Sequence, residues 1–255
     1  MSGKLEGRVA AVSGSSRGIG LAVARAFLAE GARVAVNSRD AAVADRVAEE
    51  LGQGAVGIGA DVSTEAGAKA LVGGTIEAFG TIDVLVNNAG MSAAANTLDL
   101  GLDFWQRVVD LNMTSVFLAS REAVRHMLEA NKGGSIINTA SVISFASFPR
   151  RLAYGATKAA VVHMTRMMAA EWAPSIRVNA VAPGYVRTEM TEQLAAEGKI
   201  NFQAIERRTP QRRMAKPAEL AGAYVFLASD DASFITGETI VVDGGWLAFG
   251  AFEGI

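Results

Sequence analysis

Three side chains in the middle of the chain carry groups suited to acting on one oxygen atom: the hydroxyl of Ser141, the phenol of Tyr154 and the ammonium of Lys158. Tyr154 and Lys158 stand four residues apart, the spacing that puts two side chains on one face of a helix. A phenol titrates at about pH 10 and is a poor base at neutrality. A neighbouring ammonium favours the phenolate, so Lys158 is expected to lower the Tyr154 pKa. Ser141 is suited to donate to a substrate oxygen and stabilise the charge that develops there. A set of this kind moves a proton to or from a carbonyl or carbinol oxygen.

Upstream lies a glycine-rich turn, SGSSRGIG, over residues 13–20. It follows the apolar run 8–12, where a strand should end and a helix begin. Gly14 permits a tight turn, Gly18 the close approach of a pyrophosphate, and Gly20 close packing of helix on strand. Ser16, Arg17 and Ile19 fill the turn, and the helix N-terminus presents free N–H groups and a positive dipole to phosphate. The bland alternative is a turn that only reverses the chain. Its context, strand then turn then helix with a further βαβ step, favours a dinucleotide, and the two features together suggest hydride transfer.

The end of the second strand bears on which dinucleotide. An acid there holds the ribose hydroxyls of NAD, whereas arginine accommodates the 2′-phosphate of NADP. Here the sequence runs Asn37, Ser38, Arg39, Asp40. Ser38 occupies the place of the acid, with Arg39 beside it and Arg17 on the same side. Two guanidinium groups near one phosphate favour NADP. In the alternative, NAD is the cofactor, Arg39 is solvated and Asp40 caps the next helix.

The elements that must hold these residues alternate along the chain. Strands are expected at 8–13, 32–37, 55–60, 82–87, 135–139, 177–180 and 239–242. Helices are expected at 18–30, 41–51, 64–79, 103–130, 152–172 and 217–228. The strands are apolar without alternation, as in a sheet covered on both faces. This rhythm predicts an α/β fold: a doubly wound parallel sheet with right-handed crossovers, in one domain spanning 1–255. Residues 188–216 break the rhythm and suggest a helical lid over a ligand.

Composition narrows the function classes. Of 255 residues, 50% are hydrophobic, ample for a core, and the net charge of −2 offers no broad basic footprint for nucleic acid. There is no cysteine, which excludes disulfides, thiolate zinc sites and cysteine nucleophiles. His126 and His163 lie far apart and argue against a His-rich metal site. Neither is set beside a serine and an acid as in a triad hydrolase. No apolar run approaches a membrane span and the first residues do not read as a signal peptide, so a cytoplasmic protein is expected.

Taken in order, these residues resemble the short-chain dehydrogenase/reductase family over nearly the whole chain. The resemblance rests on Gly14-x-x-x-Gly18-x-Gly20, Asp61-Val62, Asn87-Asn88-Ala89-Gly90, Asn112, Ser141, Tyr154-x-x-x-Lys158, Pro183-Gly184 and Thr188. It implies a single-domain Rossmann fold with a seven-stranded sheet in the order 3-2-1-4-5-6-7, commonly assembled into tetramers. It implies that Asp61 binds the adenine amino group with the Val62 backbone alongside. Asn87 to Gly90 then line the adenosine side, and Pro183, Gly184, Val186 and Thr188 border the nicotinamide. It makes Tyr154 the general acid or base and has Lys158 bond the nicotinamide ribose. Asn112, inside the long helix, resembles the residue that holds a water between Lys158 and solvent.

Substrate contacts are expected from 142–152 and the lid. Phe145, Phe148, Arg150 and Arg151 suggest a partly apolar pocket with an anion contact, for example to a sugar-acid carboxylate; the alternative leaves both arginines solvated. Arg207, Arg208, Arg212 and Arg213 read as a solvated basic face. Within the family the chain resembles 3-oxoacyl-acyl-carrier-protein reductases and sugar or polyol dehydrogenases. Arg125 matches one of two basic residues that carrier-protein reductases present, but the second, near Ser175, is missing, and the ending Asp243-Gly-Gly-Trp leans to the sugar enzymes. Self-assembly into a dimer or tetramer is expected through the helices around Val116 and Val161 and through the C-terminal GAFEGI. Trp246 and Phe249 are expected to be buried at that interface or in the subunit's own pocket. A regulatory dinucleotide-binding protein without turnover is the alternative of a different class.

Overall fold

The computed structural model describes residues 3–92, 94–198 and 200–250. The seven strands are β1 (Val9–Val12), β2 (Arg33–Ser38), β3 (Ala55–Gly59), β4 (Val84–Asn87), β5 (Gly134–Thr139), β6 (Ile176–Pro183) and β7 (Thr239–Val242). They form one parallel sheet in the order β3-β2-β1-β4-β5-β6-β7. Strand β6 runs three residues beyond its expected end, because Ala180 to Pro183 pair with Thr239 to Val242, a partner that no local pattern reveals.

The helices are α1 (Gly18–Ala29), α2 (Ala41–Leu51), α3 (Glu65–Phe79), α4 (Leu102–Val109), α5 (Ser115–Glu129), α6 (Leu152–Trp172), α7 (Glu189–Ala196), α8 (Phe202–Arg208) and α9 (Pro217–Ala228). Apolar residues of α1, α2 and α9, among them Phe27, Val47 and Leu220, pack on one face of the sheet with Ala10, Val12 and Val86. Apolar residues of α3, α5 and α6 pack on the other with Ala11, Leu85 and Ile136. Successive residues of β1 and β4 therefore enter different cores. That is why the strands are apolar throughout rather than alternating. The strand order reverses between β1 and β4, and the crevice at their carboxyl ends is where a ligand binds in sheets of this kind.

Two expectations change. The single helix over 103–130 is instead α4, a π-helical turn Asp110–Thr114, and α5. In that turn the Ser115 hydroxyl donates to the Leu111 carbonyl at 2.6 Å. The Asn112 side chain meanwhile clasps the backbone of Met91. Such bulges recur at functional sites. The segment 188–216 folds as α7 and α8, capped by Thr188 and Asn201. Val116 and Val161, expected on an assembly face, are buried in the chain's own core, whereas Phe117, Leu128 and Met167 on the same helices are exposed. Of GAFEGI, residues 251–255 lie outside the described residues. No helix among the described residues is long and apolar enough to cross a membrane.

Candidate active site

Beyond Val12 the chain turns at Gly14 and Gly18, whose φ angles are +59° and +58°, a region that glycine enters without strain. A Cβ on Gly14 would lie 2.8 Å from Ala89 Cα. One on Gly20 would lie 2.5 Å from Asn88 Nδ2 and 2.6 Å from the Gly14 carbonyl oxygen. Buried polar groups stitch the turn to its neighbours. Ser13 Oγ accepts from the N–H groups of Asn88 and Ala89 at 2.9 and 3.0 Å. Asn88 Nδ2 donates to the carbonyls of Ser13 and Gly14 at 3.1 and 3.0 Å. The Gly14 N–H donates to Asn37 Oδ1 at 3.0 Å.

The start of α1 has neither a side-chain cap nor an acid in its first turn, which leaves its N–H groups and dipole to the cleft. Ser16 and Ile19 are half-buried around it. Across the cleft, Thr188 Cγ2 stands 3.7 Å from where a Gly18 Cβ would be. A glycine cradle that side chains would fill, at an uncapped helix N-terminus, fits the pyrophosphate of a dinucleotide. Pro183 and Val186 are buried near this wall, and Gly184 is pressed against Asp243, 2.7 Å from its Cα to a built Cβ.

Arg17 and Arg39 are exposed at the same edge of the sheet, and neither has a carboxylate partner among the described residues. Ser38 Oγ accepts from the Asp40 N–H at 3.3 Å, and Asp40 caps α2 through the Ala42 N–H at 2.9 Å. Asp61 is exposed, with Oδ1 accepting from the N–H and hydroxyl of Ser63, above a buried Val62. Of the four residues expected to line the adenosine side, Asn87 does not. It is 5% exposed, and its Nδ2 donates to Ser120 Oγ and Asn138 Oδ1 in the core. The Asn88 side chain is likewise spent on holding the glycine turn.

The four side chains expected to do chemistry come together at the ends of β4 and β5. A Cβ on Gly90 would be 3.2 Å from Asn112 Oδ1 and 3.6 Å from Lys158 Nζ. Lys158 is 5% exposed, its Nζ lies 5.9 Å from the centre of the Tyr154 ring, and the Ser141 hydroxyl is close enough to the Tyr154 phenol to favour its ionised form. Asn112 is fully engaged: Oδ1 accepts from the Met91 N–H at 2.8 Å, and Nδ2 donates to the Met91 carbonyl and to Thr157 Oγ1. Thr157 in turn donates to the Tyr154 carbonyl at 2.9 Å.

The electrostatics differ from the expected lowering of the tyrosine. Burial pushes the Tyr154 phenol above its usual value, opposed by the Ser141 hydrogen bond and by the charge of Arg151. The Lys158 ammonium does not offset that burial. It donates at 2.6 Å to the Thr139 carbonyl, and burial lowers its own pKa to about 8. Thr139 is braced from behind, its hydroxyl 2.9 Å from that of the fully buried Tyr224.

The family model described as enoyl-(acyl carrier protein) reductase matches residues 14–247. The chain belongs to the short-chain dehydrogenase/reductase family. It is 41% identical to the 3-oxoacyl-(acyl-carrier-protein) reductase of Synechocystis over 96% of this chain and 99% of that one. It is 39% identical to the 2-dehydro-3-deoxy-D-gluconate 5-dehydrogenase of Escherichia coli over 96% and 97%. The crystal structure of a short-chain type dehydrogenase/reductase from Mycobacterium marinum superposes with a TM-score of 0.89 at 41% identity, covering 95% and 96%. The protein is thus a pyridine-nucleotide-dependent oxidoreductase acting on CH–OH and C=O groups.

A cluster of rings and arginines in this short-chain dehydrogenase/reductase is built from distant parts of the chain. Trp246 stacks on Phe148 with ring centres 5.1 Å apart and tilts against Tyr185 at 6.2 Å. Arg208 of α8 lies over Trp246 at 4.5 Å and donates to its carbonyl at 3.1 Å. Arg213 holds Glu219 through both terminal nitrogens. Arg208, half-buried on Trp246, is therefore not part of the solvated face expected of it, whereas Arg207, Arg212 and Arg213 are exposed as expected. Trp246 and Phe249 are covered within this chain by Arg208. Arg125 is exposed and pairs with Glu122 at 3.2 Å, and His163 is an exposed residue of α6. Sequence reasoning missed Thr139, Thr157, Tyr185 and Tyr224. Only Thr157, one turn past Tyr154, carries a local signal.

Proposed function

We propose that the protein interconverts a ketone and a secondary alcohol on a sugar, sugar acid or polyol, with NADP(H) as the preferred dinucleotide and NAD(H) as the alternative. The observation that carries this reading is the meeting of Ser141, Tyr154 and Lys158 beside a glycine cradle at an uncapped helix N-terminus, which suits the phosphates of a dinucleotide. When bound, the nicotinamide supplies or takes up the hydride. Ser141 donates to the substrate oxygen and holds it against the Tyr154 phenol. In reduction Tyr154 gives that oxygen its proton, and in oxidation it takes one; burial keeps the phenol protonated and ready to donate. Lys158, which donates to the Thr139 carbonyl, would hold the nicotinamide ribose when the dinucleotide is bound, and its charge would support the phenolate once the proton has moved. Asn112, locked to Met91, fixes the bulge beside Lys158.

Arg17 and Arg39 support the choice of NADP, since two unpaired guanidinium groups at the ribose end suit a 2′-phosphate. Asp61, Val62, Asn88, Ala89 and Gly90 line the adenosine side in this reading, with Asn88 acting through the turn it holds. Pro183, Gly184, Val186 and Thr188 border the nicotinamide, and 188–216 closes over the substrate. The outward apolar residues of α5 and α6, Phe117, Leu128 and Met167, support assembly into a dimer or tetramer.

The test is a panel of ketoses, keto acids and 3-oxoacyl thioesters assayed with NADPH and NADH. Tyr154→Phe should cut turnover by about 10²- to 10⁴-fold while NADPH still binds. An active enzyme whose turnover survives that change refutes the role of Tyr154, and a wild type that binds NADPH but reduces nothing favours the regulatory reading. Arg39→Asp should weaken NADPH relative to NADH, and an unchanged ratio removes Arg39 from cofactor choice.

A further inference from the structure

Several arginines are held by an acid: Arg8 by Asp230, Arg121 by Glu65, Arg187 by Glu192 and Arg213 by Glu219. Arg151 has none among the described residues. It is half-buried, at the N-cap of α6, three residues before Tyr154. One of its five N–H groups is committed, Nη1 donating to Ser92 Oγ at 2.9 Å. Its charge reaches two phenols at once, Tyr154 and Tyr185. Arg150 is different: it is exposed, its backbone is left-handed at φ +62°, and its carbonyl accepts from the Ala95 N–H. The two adjacent arginines thus differ, Arg150 exposed and Arg151 half-buried and tied to Ser92.

We propose that Arg151, tethered by Ser92, is a carboxylate subsite of the active site, so that the substrate is a hydroxy or keto acid gripped at its carboxylate while its reacting oxygen meets Ser141 and Tyr154. This rests on the oxidoreductase reading above and adds the charge of the substrate to it. The guanidinium fork pairs with two carboxylate oxygens at once, which fixes orientation as well as affinity. Arg151 caps the helix that carries Tyr154 three residues on, so carboxylate and carbonyl are separated by a short chain. The rings of Tyr185 and Trp246 form the wall along which that chain lies. Half-burial strengthens the pairing over that of an exposed ion pair. An unpaired half-buried guanidinium at the same place disfavours a neutral substrate, which leaves it without a partner.

5-Keto-D-gluconate and L-sorbose share one carbon chain and differ only in carboxylate against hydroxymethyl at the end far from the ketone. With NADPH, wild type should prefer the acid in kcat/KM by roughly ten- to a hundredfold, the range for a hydrogen bond to a charged group. Arg151→Gln should erase that preference, chiefly through KM for the acid, and Arg151→Lys should restore part of it. Arg150→Gln should leave the preference in place. In parallel, D-gluconate and D-glucitol are titrated by calorimetry into the NADPH-saturated protein, a combination that cannot react. Gluconate should bind more tightly in wild type and lose that advantage in Arg151→Gln. Equal treatment of acid and neutral partner by wild type, or an equal loss for both in Arg151→Gln, overturns the proposal. Should neither ketone be reduced, the reading of a sugar-derived substrate fails by itself, and the calorimetric difference alone decides for or against the carboxylate site.

Discussion

The two ends of the cleft are held in opposite ways. At the dinucleotide end, the turn after β1 is fixed by excluded volume: Gly14 against Ala89, Gly20 against Asn88 and Gly14, all at backbone or buried atoms. Every stitch there is buried or half-buried and most involve the main chain. At the substrate mouth, the parts meet through the tips of long side chains, Arg151 on Ser92 and Arg208 on Trp246, and through ring stacking. Such contacts can be exchanged one at a time without moving a strand. The first arrangement keeps one chemistry; the second lets the substrate change on an unchanged frame.

The sharpest way to break that contrast is Gly20→Ala. Its methyl group lands on a backbone oxygen and on the amide that holds the turn, so strand and helix must separate. A cost of about 2–4 kcal/mol in stability and at least a hundredfold loss of NADPH affinity are expected. Fluorescence titration and thermal melting read both. Wild-type binding by this variant would show that the turn is not sterically fixed.

The next effect is titration of Lys158, the buried base between the two ends. Its pKa of about 8 means that the ammonium persists below that pH and is lost above it. The kcat/KM for the dinucleotide, which reports groups of the free enzyme, should therefore fall about tenfold per pH unit above pH of about 8. A profile flat to pH of about 10 would place the Lys158 pKa near its ordinary value and the site in fuller contact with water.

A smaller effect tests the brace behind Lys158. Tyr224→Phe leaves the buried Thr139 hydroxyl without its partner, at a cost of about 1–2 kcal/mol. For a chain of this size that is a fall of a few degrees in Tm, about 2–4 °C per kcal/mol, with NADPH affinity little changed. A large loss of NADPH binding instead would tie the brace to the cofactor end rather than to the frame.

What was legible in the sequence follows the same contrast. Excluded volume leaves its mark locally: Gly14, Gly18 and Gly20 are readable because their spacing, after an apolar run, has one steric use. The Tyr154–Lys158 pair is readable for the same reason, being one helical turn. The sheet and its order followed from that rhythm together with the family resemblance. The π-turn at Asp110–Thr114 was not readable, since it depends on Asn112 reaching Met91, 21 residues away. Nor was the brace between Thr139 and Tyr224, 85 residues apart, or the tie of Arg208 to Trp246, 38 apart. Composition made Arg207 to Arg213 look like one solvated patch, because charge alone does not say which partner the fold brings. The expected lowering of Tyr154 weighed Lys158 as a charge in water and not as a buried group already bonded to a carbonyl.

The smallest effect belongs to the lid. Arg208→Gln removes a cation–π contact at 4.5 Å and a hydrogen bond to the Trp246 carbonyl. The site is partly open to water, so the contact contributes about 0.5–1 kcal/mol, and Tm should move by no more than about 4 °C. The consequence falls on closure. A lid that loses its hold on Trp246 spends less time shut, so KM for the carbonyl substrate should rise by about two- to fivefold while kcat holds or increases if opening limits release. Stopped-flow measurement of product release separates those cases. A fall in kcat with KM unchanged would mean that Arg208 acts on the reacting atoms, and the mouth would then share the fixed character of the cofactor end.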